Sequence, residues 1–166
     1  MARILIVGGG CGGRQLCQAM AGEGYAVRMT TRADAGRAAI EAAGGECWIG
    51  TPDRLATLRG ALDGVTILCW LMGSATGSAA QLQALHTERL RFFLTQAIDT
   101  TVRGFLYEAR SREGASAQLL AEGERIVRQM TALNAIPAAF LTADPSDLDG
   151  WLTQARAAIG SLLSDA

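Results

Sequence analysis

The sequence contains no lysine, so all 15 of its basic side chains are arginines. Mechanisms that need a lysine amine are therefore excluded, among them Schiff-base chemistry, a P-loop lysine and a tyrosine–lysine proton relay. Net charge is also low: the arginines are balanced by 16 acidic side chains, which leaves −1. This balance gives no general attraction to nucleic acid or to an anionic membrane surface.

Long apolar runs and cysteine motifs are missing as well. No uninterrupted apolar stretch approaches the roughly 18 residues needed to span a bilayer, and no charged segment precedes a short apolar one at the N-terminus. We therefore expect a soluble, cytoplasmic protein. The cysteines form no CxxC pair and have no histidine at ligand spacing, so neither a zinc site nor a disulfide framework is indicated. They are Cys11, Cys17, Cys47 and Cys69.

Glycine, by contrast, is abundant, and its arrangement near the N-terminus is informative. The apolar run Arg3–Val7 is followed by Gly8-Gly-Gly-Cys-Gly-Gly-Arg14, after which a helical pattern begins. Glycines spaced as GxGxxG directly after a strand are typical of a dinucleotide-binding βαβ unit. In such a unit Gly8 permits the tight turn, Gly10 lets the backbone approach a pyrophosphate, and Gly13 lets the helix press against the strand. The free N–H groups of the helix would hold the phosphates.

The residue that closes the second predicted strand indicates which dinucleotide binds. That strand covers residues 25–31 and is followed by Arg32. An acidic residue there would accept a hydrogen bond from the ribose 2′-hydroxyl of NAD, whereas an arginine pairs with the 2′-phosphate of NADP. Arg32 therefore favours NADP, with NAD as the alternative. Arg14, Arg37 and the hydroxyls of Thr30 and Thr31 are neighbours that could assist. The structural alternative is that Arg32 only ends the strand at the surface.

Two further considerations bear on Arg32. Asp34 is the nearest acid, but its position predicts the N-cap of the second helix. Methyltransferases also carry a glycine-rich turn after their first strand, yet they normally place an acid at the end of the second. Arg32 argues against that class.

Strands and helices alternate along the whole chain. Apolar runs predict strands at 3–7, 25–31, 47–49, 65–71, 104–107 and 136–141. Helical periodicity predicts helices at 12–23, 35–43, 54–62, 78–98, 116–133 and 147–163. This alternation predicts a single α/β domain over residues 1–166, a doubly wound, parallel Rossmann-type sheet of about six strands in the order 3-2-1-4-5-6. The segment 71–74, at the C-terminal end of the fourth strand, should face the nicotinamide side of the crevice.

Three segments resemble the atypical and extended short-chain dehydrogenase/reductases, most closely their NAD-dependent epimerase/dehydratase-like and NmrA-like members. These segments are 4–16, 24–32 and 58–65. The resemblance implies an NAD(P)-binding protein in which part of the glycine loop, Arg32 and the end of the fourth strand contact the cofactor. With the rest of the loop and two neighbours of Arg32, the candidate contacts are Gly8, Gly10, Cys11, Gly12, Gly13, Arg14, Thr31, Arg32, Arg37, Leu71, Met72 and Gly73.

The chain departs from that superfamily at the positions that contact the adenine, carry out catalysis and bind the substrate. Its members commonly have an aspartate just after the third strand that touches the adenine, and here that place holds Thr51. Catalytic members carry a serine at the end of the fifth strand and Tyr-x-x-x-Lys on the following helix. Here the strand ends at Tyr107-Glu-Ala-Arg110, and the helix contains no tyrosine. Extended members continue into a substrate-binding region, whereas one predicted helix follows the sixth strand here.

Three residues remain as candidates for chemistry, each with a structural alternative. Tyr107, at the carboxyl end of a strand, is the catalytic candidate, as a general acid; the alternative is an aromatic ring packed beneath a helix. His86 could donate a proton, but we expect it at the surface or at an interface. Cys11 lies at a helix N-terminus and is either a redox-sensitive thiol or a small residue tolerated in a turn.

Two functions fit these residues. One is an atypical NADP-dependent oxidoreductase or epimerase-like enzyme acting on a small molecule, with Tyr107 or a bound water as proton donor. The other is a non-catalytic NADP-binding protein that responds to redox state by regulating or binding a partner. In related reductases the helices after the fourth and fifth strands pair across a dimer axis. Here both predicted helices carry apolar residues beyond a single stripe, so we expect a homodimer.

Overall fold

Six parallel strands form the centre of the structure, a computed structural model that describes residues 1–166. They are hydrogen-bonded in the order β3-β2-β1-β4-β5-β6, and every pairing is parallel. This order confirms the predicted α/β fold. The strands are β1 (Arg3–Gly8), β2 (Ala26–Thr31), β3 (Glu46–Ile49), β4 (Ile67–Leu71), β5 (Gly104–Glu108) and β6 (Ala138–Leu141).

Helices cover both faces of this sheet because the side chains of each central strand alternate between two apolar cores. One core lies under α1 and α6, and the other lies under α3, α4 and α5. No helix is both long and apolar enough to cross a lipid bilayer. The helices are α1 (Gly10–Gly22), α2 (Arg37–Ala42), α3 (Ala79–His86), α4 (Glu88–Ile98), α5 (Ala117–Leu133) and α6 (Leu148–Asp165).

The predicted helix over 78–98 is wrong in one respect, because it is broken at Thr87. The backbone there has φ −128° and ψ −92°, so α3 ends at His86 and α4 begins at Glu88. The Thr87 hydroxyl donates to the Gln83 carbonyl at 2.7 Å, a local bond that competes with the helical pattern. The predicted helix over 54–62 is likewise replaced by two short 3₁₀ turns.

Asp34 is not the predicted N-cap of the second helix. A 3₁₀ turn, Asp34–Gly36, precedes α2, and neither segment has a capping hydrogen bond from a side chain. The Asp34 carboxylate instead accepts a hydrogen bond from Arg37 Nε at 2.7 Å. Asp34 therefore forms an ion pair with Arg37 in place of the capping hydrogen bond that the local pattern predicted.

Candidate functional site

The glycine loop lies tightly against strand β4. Gly8, Gly9 and Gly10 have φ values of 82°, 89° and 53°, a region that other residues rarely adopt. A side chain on Gly8 would overlap the Leu71 carbonyl oxygen, and the Gly9 N–H donates to that same oxygen at 2.8 Å. Because α1 begins inside the loop, the N–H groups of its first turn have no intrahelical partners and lie at the carboxyl edge of the sheet.

The last two glycines of the loop set how α1 packs. A Cβ on Gly13 would lie 2.9 Å from Met29 Cε and 3.0 Å from the Gly8 carbonyl oxygen, so a side chain there would force the helix or its neighbours to shift. A Cβ on Gly12 would lie 3.2 Å from the ring of Trp151 in α6. Gly13 therefore matches its predicted packing role, while Gly12 faces α6.

A cleft of about 160 Å³ opens between the glycine loop, the end of β2 and the segment after β4. This is the carboxyl edge of the sheet, where parallel α/β folds bind their ligands. Six of the predicted cofactor contacts line it: Gly8, Gly10, Thr31, Arg32, Leu71 and Met72. Thr30 and Ser74, which the sequence placed near Arg32 and at the end of the fourth strand, also line it. The lining residues that the sequence did not indicate are Gly9, Gly50, Pro52, Ala75 and Leu85.

A second cavity, of about 420 Å³, continues from this cleft past Arg32 toward the start of α3. Arg32 forms an ion pair across it, with Nη1 2.7 Å from Asp53 Oδ2. Asp53 belongs to the turn after β3, two residues beyond Thr51, the position where the resemblance led us to look for an acid. An acidic side chain therefore does reach the cavity, but from a position that the family resemblance did not indicate.

The other predicted cofactor contacts lie outside the walls of the cleft. Arg14 donates to Cys11 Sγ at 2.9 Å at the exposed start of α1. Arg37 is paired with Asp34 at 2.7 Å and with Glu41 at 3.7 Å. Gly73 is turned away, toward β5.

A buried carboxylate holds Gly73 in that position. Glu108, the last residue of β5, is 2% exposed; its Oε1 accepts from the Gly73 N–H at 2.6 Å and its Oε2 from Trp151 Nε1 at 2.7 Å. Burial raises the pKa of Glu108, and the two hydrogen bonds lower it. We call Glu108, Gly73 and Trp151 the Glu108 cluster. It ties β4, β5 and α6 together at the edge of the cleft, and sequence reasoning had noted Glu108 only as a neighbour of Tyr107.

Tyr107 lies on the opposite face of β5 and is not in the cleft. Its side chain is fully buried, its hydroxyl lies 2.7 Å from His86 Nδ1, and a Cβ on Gly123 of α5 would overlap that hydroxyl. Burial raises the pKa of Tyr107 above its usual range and lowers the pKa of His86 to about 4. The predicted catalytic role of Tyr107 gains no support from this position.

His86 is also fully buried, so its expected surface position is wrong. The reason is tertiary: α3 ends at His86, and the ring there meets Tyr107 of β5 edge-on, with ring centroids 5.9 Å apart. No pattern within the helix indicates this contact.

A larger concavity lies elsewhere, a groove of about 700 Å³ on the outer surface of α3, α4 and α5. Phe92, 55% exposed, lies in it between charged side chains. It contains no glycine loop and no buried polar group, so the smaller cleft is the better candidate for a small-molecule site.

No protein-family model matches the sequence, and no curated protein matches it. Solved structures do match in fold. Triphenylmethane reductase from Citrobacter sp., complexed with NADP(H), aligns over 83% of this chain and 48% of its own, with a TM-score of 0.65 and 19% identity. UDP-glucuronic acid 4-epimerase from Bacillus cereus, in complex with NAD, aligns over 83% and 54%, with a TM-score of 0.64 and 16% identity. Vestitone reductase from alfalfa aligns over 84% and 56%, with a TM-score of 0.62 and 16% identity.

These likenesses confirm the fold expected from the resemblance to short-chain dehydrogenase/reductases. The chain spans about half the length of the structures it matches. At such low identity the match shows the shared fold, and the cofactor and the reaction have to be argued from the site itself.

Proposed function

We propose that residues 1–166 form a single dinucleotide-binding domain that prefers NADP and serves an oxidoreductase of the atypical short-chain kind. One observation carries this proposal: three consecutive left-handed glycines place the start of α1 beside a cleft that Arg32 enters from β2. Structures of the same fold complexed with NADP(H) or NAD support it.

The two connected cavities suit the two ends of an adenine dinucleotide. The pyrophosphate would lie on the first-turn N–H groups of α1, where the helix dipole favours negative charge. The adenosine would extend past Arg32 into the larger cavity, which places its ribose beside the guanidinium. A phosphate on that ribose would then receive charge-assisted hydrogen bonds from Arg32.

We expect NADPH to bind more tightly than NADH, and Arg32→Ala to bring the affinity for NADPH down to that for NADH. Hydrogen bonds to charged groups contribute about 1.5–3 kcal/mol, so the expected loss is at least about tenfold. Calorimetric titration of both proteins with both dinucleotides measures it. Arg156→Ala is the charge-matched control, since Arg156 pairs with Glu23 at the C-terminal end of α1, away from the cleft. If neither dinucleotide binds at millimolar concentration, the proposal is wrong.

Cys11 offers a chemical readout of the same titration. It is exposed in the first turn of α1, whereas Cys17 and Cys69 are buried and Cys47 is half-buried. Phosphates seated on this turn should shield the Cys11 thiol from a maleimide, and Cys11→Ser gives the background rate of labelling. Protection that follows the calorimetric affinity would locate the dinucleotide at the glycine loop.

The burial of Tyr107 favours a second candidate, a non-catalytic NADP-binding protein that regulates or binds a partner. The hydroxyl is bonded to His86, and no lysine exists to complete a relay. A reductase would need a bound water as its proton donor. Consumption of NADPH with a panel of carbonyl substrates separates the two candidates, because the second predicts binding without turnover.

We further propose that the groove on α3, α4 and α5 pairs with its counterpart on a second copy of the chain. Phe92 lies there beside Glu88 and Arg91, so a two-fold arrangement can bury the aromatic ring and match opposite charges. Light scattering at tens of micromolar is expected to give twice the 17.4 kDa chain mass, and Phe92→Glu a single chain mass. A monomeric unmodified protein would contradict this interface.

A further inference from the structure

The arginine expected to select NADP is already paired in this structure. Arg32 Nη1 lies 2.7 Å from Asp53 Oδ2, and both residues line the larger cavity. The Arg32 side chain is 70% exposed and that of Asp53 34%, so the arginine is the freer partner. A ligand phosphate therefore has to compete with an acid for this guanidinium.

Asp53 is held in place by the turn to which it belongs. Its N–H donates to Thr51 Oγ1 at 3.2 Å, and the Thr51 N–H donates to Thr57 Oγ1 at 2.9 Å. The Pro52 carbonyl accepts from Arg89 Nη1 of α4 at 2.8 Å, which anchors the turn to a helix. The turn that carries the carboxylate is thus held at Thr51 and at Pro52, and the Thr51 hydroxyl also lies 3.4 Å from Asp53 Oδ2. The more exposed Arg32 side chain is therefore the partner that can move to open the pair.

NAD and NADP would interact differently with the ion pair between Arg32 and Asp53. A 2′-phosphate brings about two negative charges close to the Asp53 carboxylate, and like charges at short range repel. A 2′-hydroxyl is neutral and can donate to Asp53 Oδ1, an oxygen that accepts no hydrogen bond within the chain. The closed pair suits NAD, and the pair opened toward the ligand suits NADP.

We propose that Asp53 sets the cofactor preference of this cleft, because it holds Arg32 in an ion pair that the 2′-phosphate of NADP must open. This rests on the proposed dinucleotide function and deepens it. Arg32 alone would make the site strongly selective for NADP. Asp53 restrains that selectivity and leaves the cleft able to accept both dinucleotides.

Asp53→Asn tests the proposal directly. Asparagine keeps the size of the side chain and its turn with Thr51 but removes the charge. Exposed ion pairs contribute up to about 1 kcal/mol, so we expect NADPH to bind about fivefold more tightly than to the unmodified protein. NADH is expected to bind with unchanged or lower affinity. The pair 2′,5′-ADP and 5′-AMP, which differ only in the 2′-phosphate, should show the same shift.

Two controls separate this mechanism from a general change in charge. Asp34→Asn makes the same charge change two residues from Arg32, but its carboxylate pairs with Arg37 outside the cleft, and it should leave the NADPH to NADH ratio unchanged. In an Arg32→Ala background, Asp53→Asn should have a smaller effect on NADPH than in the unmodified protein, because only the direct repulsion between the carboxylate and the 2′-phosphate is then removed.

The outcomes are distinct. If the unmodified protein binds neither dinucleotide, both the proposed function and this inference fail. If it binds them but Asp53→Asn leaves their ratio unchanged, or Asp34→Asn shifts it equally, only the inference fails. Thermal unfolding shows whether the asparagine variant is folded. If it is not, Asp53→Ser, whose hydroxyl can still bond Thr51, provides the same comparison.

Discussion

Replacing Glu108 by alanine is expected to lower the free energy of unfolding by about 2–4 kcal/mol. The substitution leaves the Gly73 N–H and the Trp151 indole N–H buried without an acceptor, and each such group costs about 1–3 kcal/mol. Part of this loss is offset because a carboxylate no longer has to be desolvated. Urea unfolding followed by circular dichroism measures the difference.

Two matched variants test the assignment to the Glu108 cluster. Trp151→Phe removes one donor and keeps an aromatic ring against Gly12, so we expect a smaller loss than for Glu108→Ala. Combined, the two changes should cost less than the sum of their separate effects, since they remove partners of one network. A Glu108→Ala protein within about 0.5 kcal/mol of the unmodified one would refute this account, because that is the range of an ordinary surface substitution.

The position of the segments after β5 and β6 also bears on the choice between the two candidate functions. Both cavities are lined by residues from β1, β2, β4, α3 and the neighbouring turns, and none comes from the segments after β5 or β6. Those segments bond to their neighbours instead: the Arg112 N–H donates to the Gly73 carbonyl at 2.9 Å, and Arg110 pairs with Asp144 at 3.4 Å. In this structure the two cavities thus reach the end of β4 and do not extend to the side of β5 and β6. A reductase requires this side to open; a non-catalytic binder does not.

The sheet could be predicted from sequence because its signals are local. Each strand is a short apolar run, each crossover is a helical pattern, and right-handed connections between parallel strands leave few possible orders. The glycine spacing then located the cleft, since a GxGxxG turn can lie only at the carboxyl edge of the first strand. The same geometry predicted that Arg32 lies at the cleft, because it directly follows the adjacent strand β2.

The partners of the site residues could not be predicted in this way, because they are far apart in sequence. Trp151 reaches Glu108 across 43 positions, and Tyr107 reaches His86 across 21. Asp53 was missed for a different reason. The family resemblance placed the acid just after β3, where this chain has Thr51, and the turn Thr51-Pro-Asp53 brings the later residue to the cavity. The helix break at Thr87 could not be predicted from the sequence, because the helical spacing of apolar residues continues through it.

Lowering the pH from about 6.5 to about 4 is expected to destabilise the fold by about 3 kcal/mol through His86 alone. Burial lowers the pKa of His86 from 6.5 to about 4 in the folded chain, and each pKa unit corresponds to about 1.4 kcal/mol. Because the unfolded chain takes up the proton first, the folded state has its full stability above pH 6.5 and loses it as the pH falls toward 4. Urea unfolding between neutral pH and pH 4 measures the slope.

His86→Gln isolates this contribution, because glutamine can still bond the Tyr107 hydroxyl but does not titrate. Glu108 has the opposite sign: its pKa is raised in the folded state, so the folded state gains stability from it as the pH falls through the usual range of a glutamate. Both proteins carry Glu108, so its effect cancels in their difference. The acid-induced loss should therefore be about 3 kcal/mol larger in the unmodified protein than in the variant. Equal slopes in the two proteins would contradict this prediction. They would mean that the His86 ring, which β5 and α5 enclose in this structure, is protonated as readily as a free imidazole.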